Sequence, residues 1–261
     1  MSNLFDLTGR VAFVTGAASG LGYAMAEVFA EYGAHVVLAD VDEPGLAKAV
    51  DALTLRNLSA EGISLDVRDA ASVRESVADV ARRHGALDIA VANAGITGGA
   101  AISEPRGHIE NIDLDVWNNV IAVNQTGVFA TMQAAAAVMK PRKSGRIIAM
   151  SSISGLRPNE ISGYPYCATK AAVANMVRVA AVELAAHGVL VNAIAPGPFL
   201  TNIAGGRLHR EPERTKAMAA VVPLKRVADP SEIKGLALLL ASPAGSYITG
   251  QVIAVDGGST A

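Results

Sequence analysis

Cysteine is almost absent from this chain of 261 residues: Cys167 stands alone, which excludes an intrachain disulfide and any multi-cysteine metal centre. It is read as a small helix-packing residue. Aromatic residues make up 4% of the sequence, which argues against a flat hydrophobic ligand. An excess of charge is also missing, since 22 lysines and arginines face 24 aspartates and glutamates for a net charge of -2. With no basic cluster alternating with aromatics, nucleic acid is not an expected partner. No stretch reaches the ~18 apolar residues of a membrane span, and the segment MSNLFDLTGR carries an early acid and no long apolar core. A soluble, cytoplasmic protein without a membrane partner is expected. No metal site is expected either.

Hydrophobic residues are what the chain has in quantity, at 51%, enough to bury a core as one domain over residues 1–261. Strand-like and helix-like segments alternate. That order predicts right-handed βαβ crossovers and an α/β fold of the Rossmann type, a doubly wound parallel sheet of seven strands. The predicted strands are Val11–Thr15, His35–Asp40, Gly62–Asp66, Leu87–Ala92, Arg146–Ser151, Leu190–Ala195 and Val252–Val255. Helices are predicted over Gly20–Tyr32, Pro44–Thr54, Ala70–His84, Asp115–Met139, Tyr164–His187 and Pro230–Leu240. The last begins with Asp229 as N-cap, Pro230 at the first helical position and Glu232 placed for a capping-box contact. Pro196 and Pro198 lack N–H donors and are expected to end the sixth strand in a backbone wall. The polar stretch that follows, about 197–223, reads as a substrate lid.

The first strand breaks into Thr15-Gly16-Ala17-Ala18-Ser19-Gly20-Leu21-Gly22 before a helix. Glycines at 16, 20 and 22 suit a tight turn, close backbone approach to a pyrophosphate, and close helix-to-strand packing. The pyrophosphate would rest at a helix N-terminus, where unpaired N–H groups favour anions. The next strand ends in Asp40, eighteen residues after Gly22, where the adenosine ribose of a dinucleotide falls. A carboxylate there accepts both ribose hydroxyls and repels a 2′-phosphate, and Ser19 offers no cation for one. NAD(H) is the expected cofactor in preference to NADP(H). Downstream, Tyr166 and Lys170 lie four residues apart in GYPYCATKAAV, so on a helix they share one face with Cβ atoms roughly 6 Å apart. A phenol titrating near pH ~10 needs depression by about 4 kcal/mol to work at neutral pH, and a neighbouring ammonium is expected to supply much of it. The run GRIIAM ends in Ser151 and Ser152.

Taken together, these residues resemble the classical short-chain dehydrogenase/reductase family from about Leu7 to Gly258. TGxxxGxG matches Thr15 to Gly22, the NAG element matches Asn93-Ala94-Gly95, and YxxxK matches Tyr166 to Lys170. The resemblance implies that Ser152, Tyr166, Lys170 and Asn124 are catalytic. Tyr166 would exchange a proton with the substrate oxygen, Ser152 would hydrogen-bond it, and Lys170 would lower the tyrosine pKa and bind the nicotinamide ribose. Asn124 would hold a water linking Lys170 to solvent. Because the stretch before Tyr166 is about one residue longer than usual, Ser154 and Ser151 stand behind Ser152 as alternatives. The resemblance further implies that Asp66 and Val67 border the adenine, and that Asn93, Gly95, Pro196, Gly197 and Thr201 contact the cofactor. It implies a homotetramer, or at least a homodimer, built on the two alanine-rich helices.

The resulting expectation is an NAD-dependent dehydrogenase interconverting a secondary alcohol and a ketone on a small polar substrate such as a sugar, polyol or hydroxy acid. The alternatives are an NADPH-dependent acyl-chain ketoreductase and a catalytically idle NAD-binding sensor or scaffold. The loop from Gly95 to Trp117, longer than the usual connection and containing His108, is expected to edge the substrate pocket. So are Asn159, Glu160 and Tyr164. Arg207, His209 and Arg210 are read as a solvated face, with contact to an anionic substrate as the alternative.

Overall fold

The structure is a computed structural model and describes residues 4–203 and 209–261. Among these, seven strands form one parallel sheet in the order β3-β2-β1-β4-β5-β6-β7. They are β1 Val11–Thr15, β2 His35–Asp40, β3 Ala60–Ser64, β4 Ile89–Ala92, β5 Gly145–Met150, β6 Val189–Pro196 and β7 Val252–Val255. Four central strands are apolar runs because both sheet faces are covered, so neither face needs a polar alternation. One face packs on α1 (Gly20–Glu31) and α2 (Glu43–Thr54), the other on α3 (Ala70–Arg83), α5 (Val128–Met139) and α6 (Tyr164–Ala185). The reversal of strand order between β1 and β4 opens a crevice beyond the strands' carboxyl ends, where ligands of such sheets bind.

Several boundaries differ from the sequence expectation, and three of the differences have a local reason. Strand β3 begins and ends two residues early, pairing Val36 with Ala60 and Asp40 with Ser64. Asp66 has left the ladder to accept the backbone N–H of Arg68 in a turn. Strand β6 runs through Pro196, which pairs with Val255. As the final residue of the strand it is tolerated, and the next donor, the N–H of Gly197, bonds the Val255 carbonyl at 2.9 Å. The helix expected over Asp115–Met139 is three segments, α4 (Leu114–Ile121), a π-helical turn (Ala122–Gly127) and α5. The extra residue in that turn lets Asn124 reach inward and sets Gly127 against Val67, where a Cβ would stand 2.7 Å from the valine side chain. At the C-terminal end of the chain, Asp229 and Glu232 form the expected capping box, opening a 3-10 turn that leads into the helix Lys234–Ala241.

Candidate active site

A cavity of about 790 Å³ lies beyond the carboxyl ends of the strands. Every predicted cofactor residue lines it, as do Ser152, Tyr166 and Lys170; Asn124 does not. The glycine turn is shaped for close approach. Gly16 has φ +66° and a Cβ on it would come 2.8 Å from the backbone of Ala94, while a Cβ on Gly22 would meet the Gly16 carbonyl at 2.2 Å. Gly20, at φ +59°, faces Thr201. At the start of α1 the Ser19 side chain accepts no N–H of the first turn, and Ser19, Gly20, Leu21 and Gly22 line the cavity. These features fit a dinucleotide pyrophosphate.

Several of the predicted residues also hold the turn in shape. The amide of Asn93 donates to the carbonyls of Thr15 and Gly16 at 2.9 and 3.0 Å, tying the end of β4 to the end of β1. Asp40 accepts the N–H of Ala18 at 3.0 Å through one oxygen and that of Asp42 at 3.1 Å through the other. It therefore braces the turn while still lining the cavity. Beside it stands Val41, exposed and uncharged.

Asp66 is less free than expected. Arg68 grips its carboxylate at 2.6 to 3.0 Å and also reaches the Asn119 side-chain oxygen at 3.3 Å. That pairing holds the Asp66 carboxyl below the usual carboxylate range. Arg68 and Asn119 line the same end of the cavity and were not foreseen. The spacing of Arg68 two residues after Asp66 was the available signal, since a side chain two residues on can fold back over a turn.

At the other end, three serines are sorted by their partners. Ser151 donates to the Lys170 carbonyl at 2.8 Å and so turns back onto α6. Ser154 is engaged with Ser162 at 2.9 Å and accepts from Asn159 at 2.8 Å. Ser152 has neither commitment: its oxygen accepts the Ser154 N–H at 3.1 Å, and it lines the cavity next to the Tyr166 phenol. The Lys170 ammonium, buried, donates to the Met150 carbonyl at 2.8 Å and sits 5.6 Å from the centre of the Tyr166 ring.

The electrostatics depart from expectation. Burial raises the Tyr166 phenol above its ordinary value, and the neighbouring Ser152 hydroxyl opposes that rise. Lys170 itself is pushed down to about 8 by burial. Burial penalises the charged form of each group, so the phenol is raised in the protein alone, the opposite direction to the depression expected from the spacing.

Asn124 is fully buried, and both ends of its amide are committed to Ile96, accepting from its N–H and donating to its carbonyl at 2.8 Å each. Its side chain is therefore a clasp on the loop after β4. Gly95 lies beside it, where a Cβ would come 3.4 Å from the Asn124 oxygen and 3.5 Å from the Lys170 nitrogen.

Other expected contacts point elsewhere. His108 is exposed and lies 3.9 Å from Glu110, and neither it, Glu160 nor Tyr164 lines the cavity. Asn159 is spent on Ser154. The long loop instead packs on the segment before α6, where a Cβ on Gly163 would touch the Ala100 carbonyl at 2.7 Å. His209 and Arg210 are exposed and do not line the cavity, and Arg207 lies outside the described residues. Ile161, Ser162, Ile203 and Met218 border the substrate end in their place.

A family model described as enoyl-(acyl carrier protein) reductase matches residues 16–260. The cis-4-hydroxycyclohexanecarboxylate dehydrogenase of Sinomonas cyclohexanicum is 41% identical over 253 residues, 97% of each chain. The chain belongs to the classical short-chain dehydrogenase/reductase family. A second family relative, the 2,5-dichloro-2,5-cyclohexadiene-1,4-diol dehydrogenase of Sphingobium indicum, is 38% identical over 97% of this chain and 96% of its own. A crystal structure from Agrobacterium tumefaciens with bound NADP is similar at a TM-score of 0.88 and 33% identity, covering 99% of both chains. The chain is an oxidoreductase of this family, with a nicotinamide cofactor.

Proposed function

We propose that this short-chain dehydrogenase/reductase uses NAD(H) to interconvert a secondary alcohol and a ketone on a small, neutral, cyclic or polyhydroxylated substrate. Ser152, Tyr166 and the buried Lys170 lining one cavity that opens onto the glycine turn carry the reading. When bound, the nicotinamide supplies the hydride acceptor or donor. Ser152 orients the substrate oxygen by hydrogen bonding, and the Tyr166 hydroxyl gives it a proton in reduction or takes one in oxidation. Lys170, which donates to the Met150 carbonyl, would bind the ribose hydroxyls. The lid expected over about 197–223 includes residues 204–208, which lie outside the described residues; its described part borders the cavity through Ile203 and Met218.

Cofactor choice rests on Asp40 with Val41 and Ser19 beside it, a carboxylate with no cation to receive a 2′-phosphate. The NADP bound by a similar structure makes this the point to measure first. Substrate charge rests on the lining: among the described residues, the charged side chains of the cavity are Asp40, Asp66 and Arg68 at the adenine end, and Lys170. A hydroxy acid therefore meets no free cation, whereas a hydroxylated ring meets Ser154, Ser162 and apolar walls. Relatives named for ring alcohols support a cyclic substrate; one of them is named for a ring carboxylate, so the neutral charge rests on the lining alone. We also propose a homotetramer assembled through α5 and α6, which expose Phe129, Val179 and Val182 at 49%, 63% and 83%.

The test is turnover with NADH and with NADPH against cyclic ketones, cyclic diols, polyols and hydroxy acids. Preference for NADPH overturns the cofactor assignment. Tight NADH binding without turnover of any compound favours the scaffold alternative.

A further inference from the structure

At the opposite end of the sheet, each of three neighbouring elements finishes its inward stripe with a residue that binds metals. Strand β2 presents His35, Val37 and Ala39 on one face; β3 presents Glu61 and Ile63 on the same face, because Val37 pairs with Glu61. Helix α3 lies over that face through Val73, Val77 and Val80, and its C-cap, His84, falls four residues after Val80 on the same stripe. Since α3 runs against the strands, His84 lands above their amino ends, beside His35 and Glu61.

The side-chain geometry is that of a ligand set. One ligand atom from each of the three residues lies within 4.8 Å of the other two. The Nε2 atoms of His84 and His35 stand 3.2 and 3.8 Å from the same oxygen, Oε1 of Glu61, and the two rings are 4.3 Å apart. Zinc bonds of about 2.0 to 2.1 Å at tetrahedral angles separate their ligand atoms by roughly 3.3 Å. The Nδ1 of His35 bonds the Ser59 hydroxyl at 2.7 Å, the outer contact that fixes an imidazole tautomer, and with Nδ1 as donor the lone pair sits on Nε2. That Nε2 is buried and, among the described residues, has no hydrogen-bond partner. An unsatisfied buried ring nitrogen calls for an occupant. All three side chains remain about one quarter exposed, so an ion has a way in.

We propose that His35, Glu61 and His84 form a site for a divalent transition-metal ion of the zinc class, separate from the catalytic cavity, with water completing the coordination. Arg83 is the competing cation. Its guanidinium contacts Oε1 of Glu61 at 2.7 Å and Oε2 at 3.1 Å, and it also holds Asp79 at 2.7 Å. Its Nη1 also lies 3.3 Å from Nε2 of His84, so metal binding displaces the guanidinium from Glu61 and from that nitrogen and leaves it on Asp79. The ion then ties β2, β3 and α3 together at the sheet edge, a structural role.

The test uses tag-free full-length protein, stripped with a chelator and titrated with Zn²⁺ by calorimetry, with native mass spectrometry for stoichiometry. One Zn²⁺ per chain and a raised melting temperature are expected. His84→Gln should bind at least about tenfold more weakly, while His187→Gln, at a distant histidine, binds as the parent does. Arg83→Gln should bind more tightly, because a rival charge is gone. Co²⁺ should show the visible absorption of a tetrahedral nitrogen and oxygen site. Dehydrogenase turnover should be unchanged in His84→Gln. If that variant does not fold, Glu61→Gln is substituted and must also lose the ion. Absence of Zn²⁺ binding, or equal affinity in the parent and the Glu61 or His84 variant, overturns the proposal.

Discussion

Burial holds the Tyr166 phenol above its ordinary pKa and drives Lys170 down to about 8, so both groups are biased toward neutrality. A protonated phenol is ready to donate, and a raised pKa delays its becoming a base. Ketone reduction should therefore persist through neutral pH, while alcohol oxidation should climb as pH rises; initial rates in both directions across the pH range check this. Tyr166→Phe removes the proton donor and should lower kcat by about 10²- to 10⁴-fold while NADH still binds, as fluorescence titration would show. Lys170 also carries a stability signature. Its folded pKa lies below the unfolded 10.5, so its stability contribution is full at high pH and is lost as pH falls from about 10.5 through about 8. The melting temperature of Lys170→Met relative to the parent should accordingly be more favourable at pH 7 than at pH 10. Asp40→Ser should relax discrimination against NADPH and, by unpairing the Ala18 N–H, cost about 1–3 kcal/mol of stability.

Among the elements, the π-helical turn between α4 and α5 does the most to place the site, and it was invisible in the sequence. The stretch from Leu114 to Met139 has ordinary helical patterning, and only the facing groups, Ile96 and Val67, require the extra residue. For the same reason the sequence offered Asn124 as a catalytic candidate and held no sign of its clasp on Ile96. Asn124→Ala leaves both backbone groups of Ile96 unpaired and should cost about 1–3 kcal/mol for each that water cannot reach. Its signature is a lower melting temperature together with a raised KM for cofactor, since the loop after β4 is released. A substitution acting only through a lost water relay would instead lower kcat with stability intact. Helix starts were easier to read. Asp229 and Glu232 cap through contacts three residues apart, which a sequence displays directly.

For the whole molecule, the sheet separates two ends of different character, a ligand cavity beyond the carboxyl ends and the His35, Glu61 and His84 cluster beyond the amino ends. Burial, reinforced by His84, lowers the His35 pKa. Stability from a neutral His35 is thus fully present above its unfolded pKa near 6.5 and is lost as pH falls below it. Chemical denaturation at pH 7.5 and pH 5 should show the loss, reduced in His35→Gln. The proposed tetramer belongs to this scale too. Val182→Glu places a charge on the exposed face of α6 and should yield a smaller species in light scattering; an unchanged mass would remove α6 from the interface.

By itself, the sequence determined the family, the α/β order, the glycine turn, and the Tyr166 and Lys170 pair, because each rests on residues close in the chain whose spacing is their geometry. Tertiary structure decided which of three serines meets the phenol, what occupies Asn124, Asp40 and Asp66, and how burial sets the charge of the pair. It also brought three metal-binding side chains from separate elements to one sheet edge. Those outcomes depend on partners far away in sequence and on exclusion from water, neither of which a local pattern records.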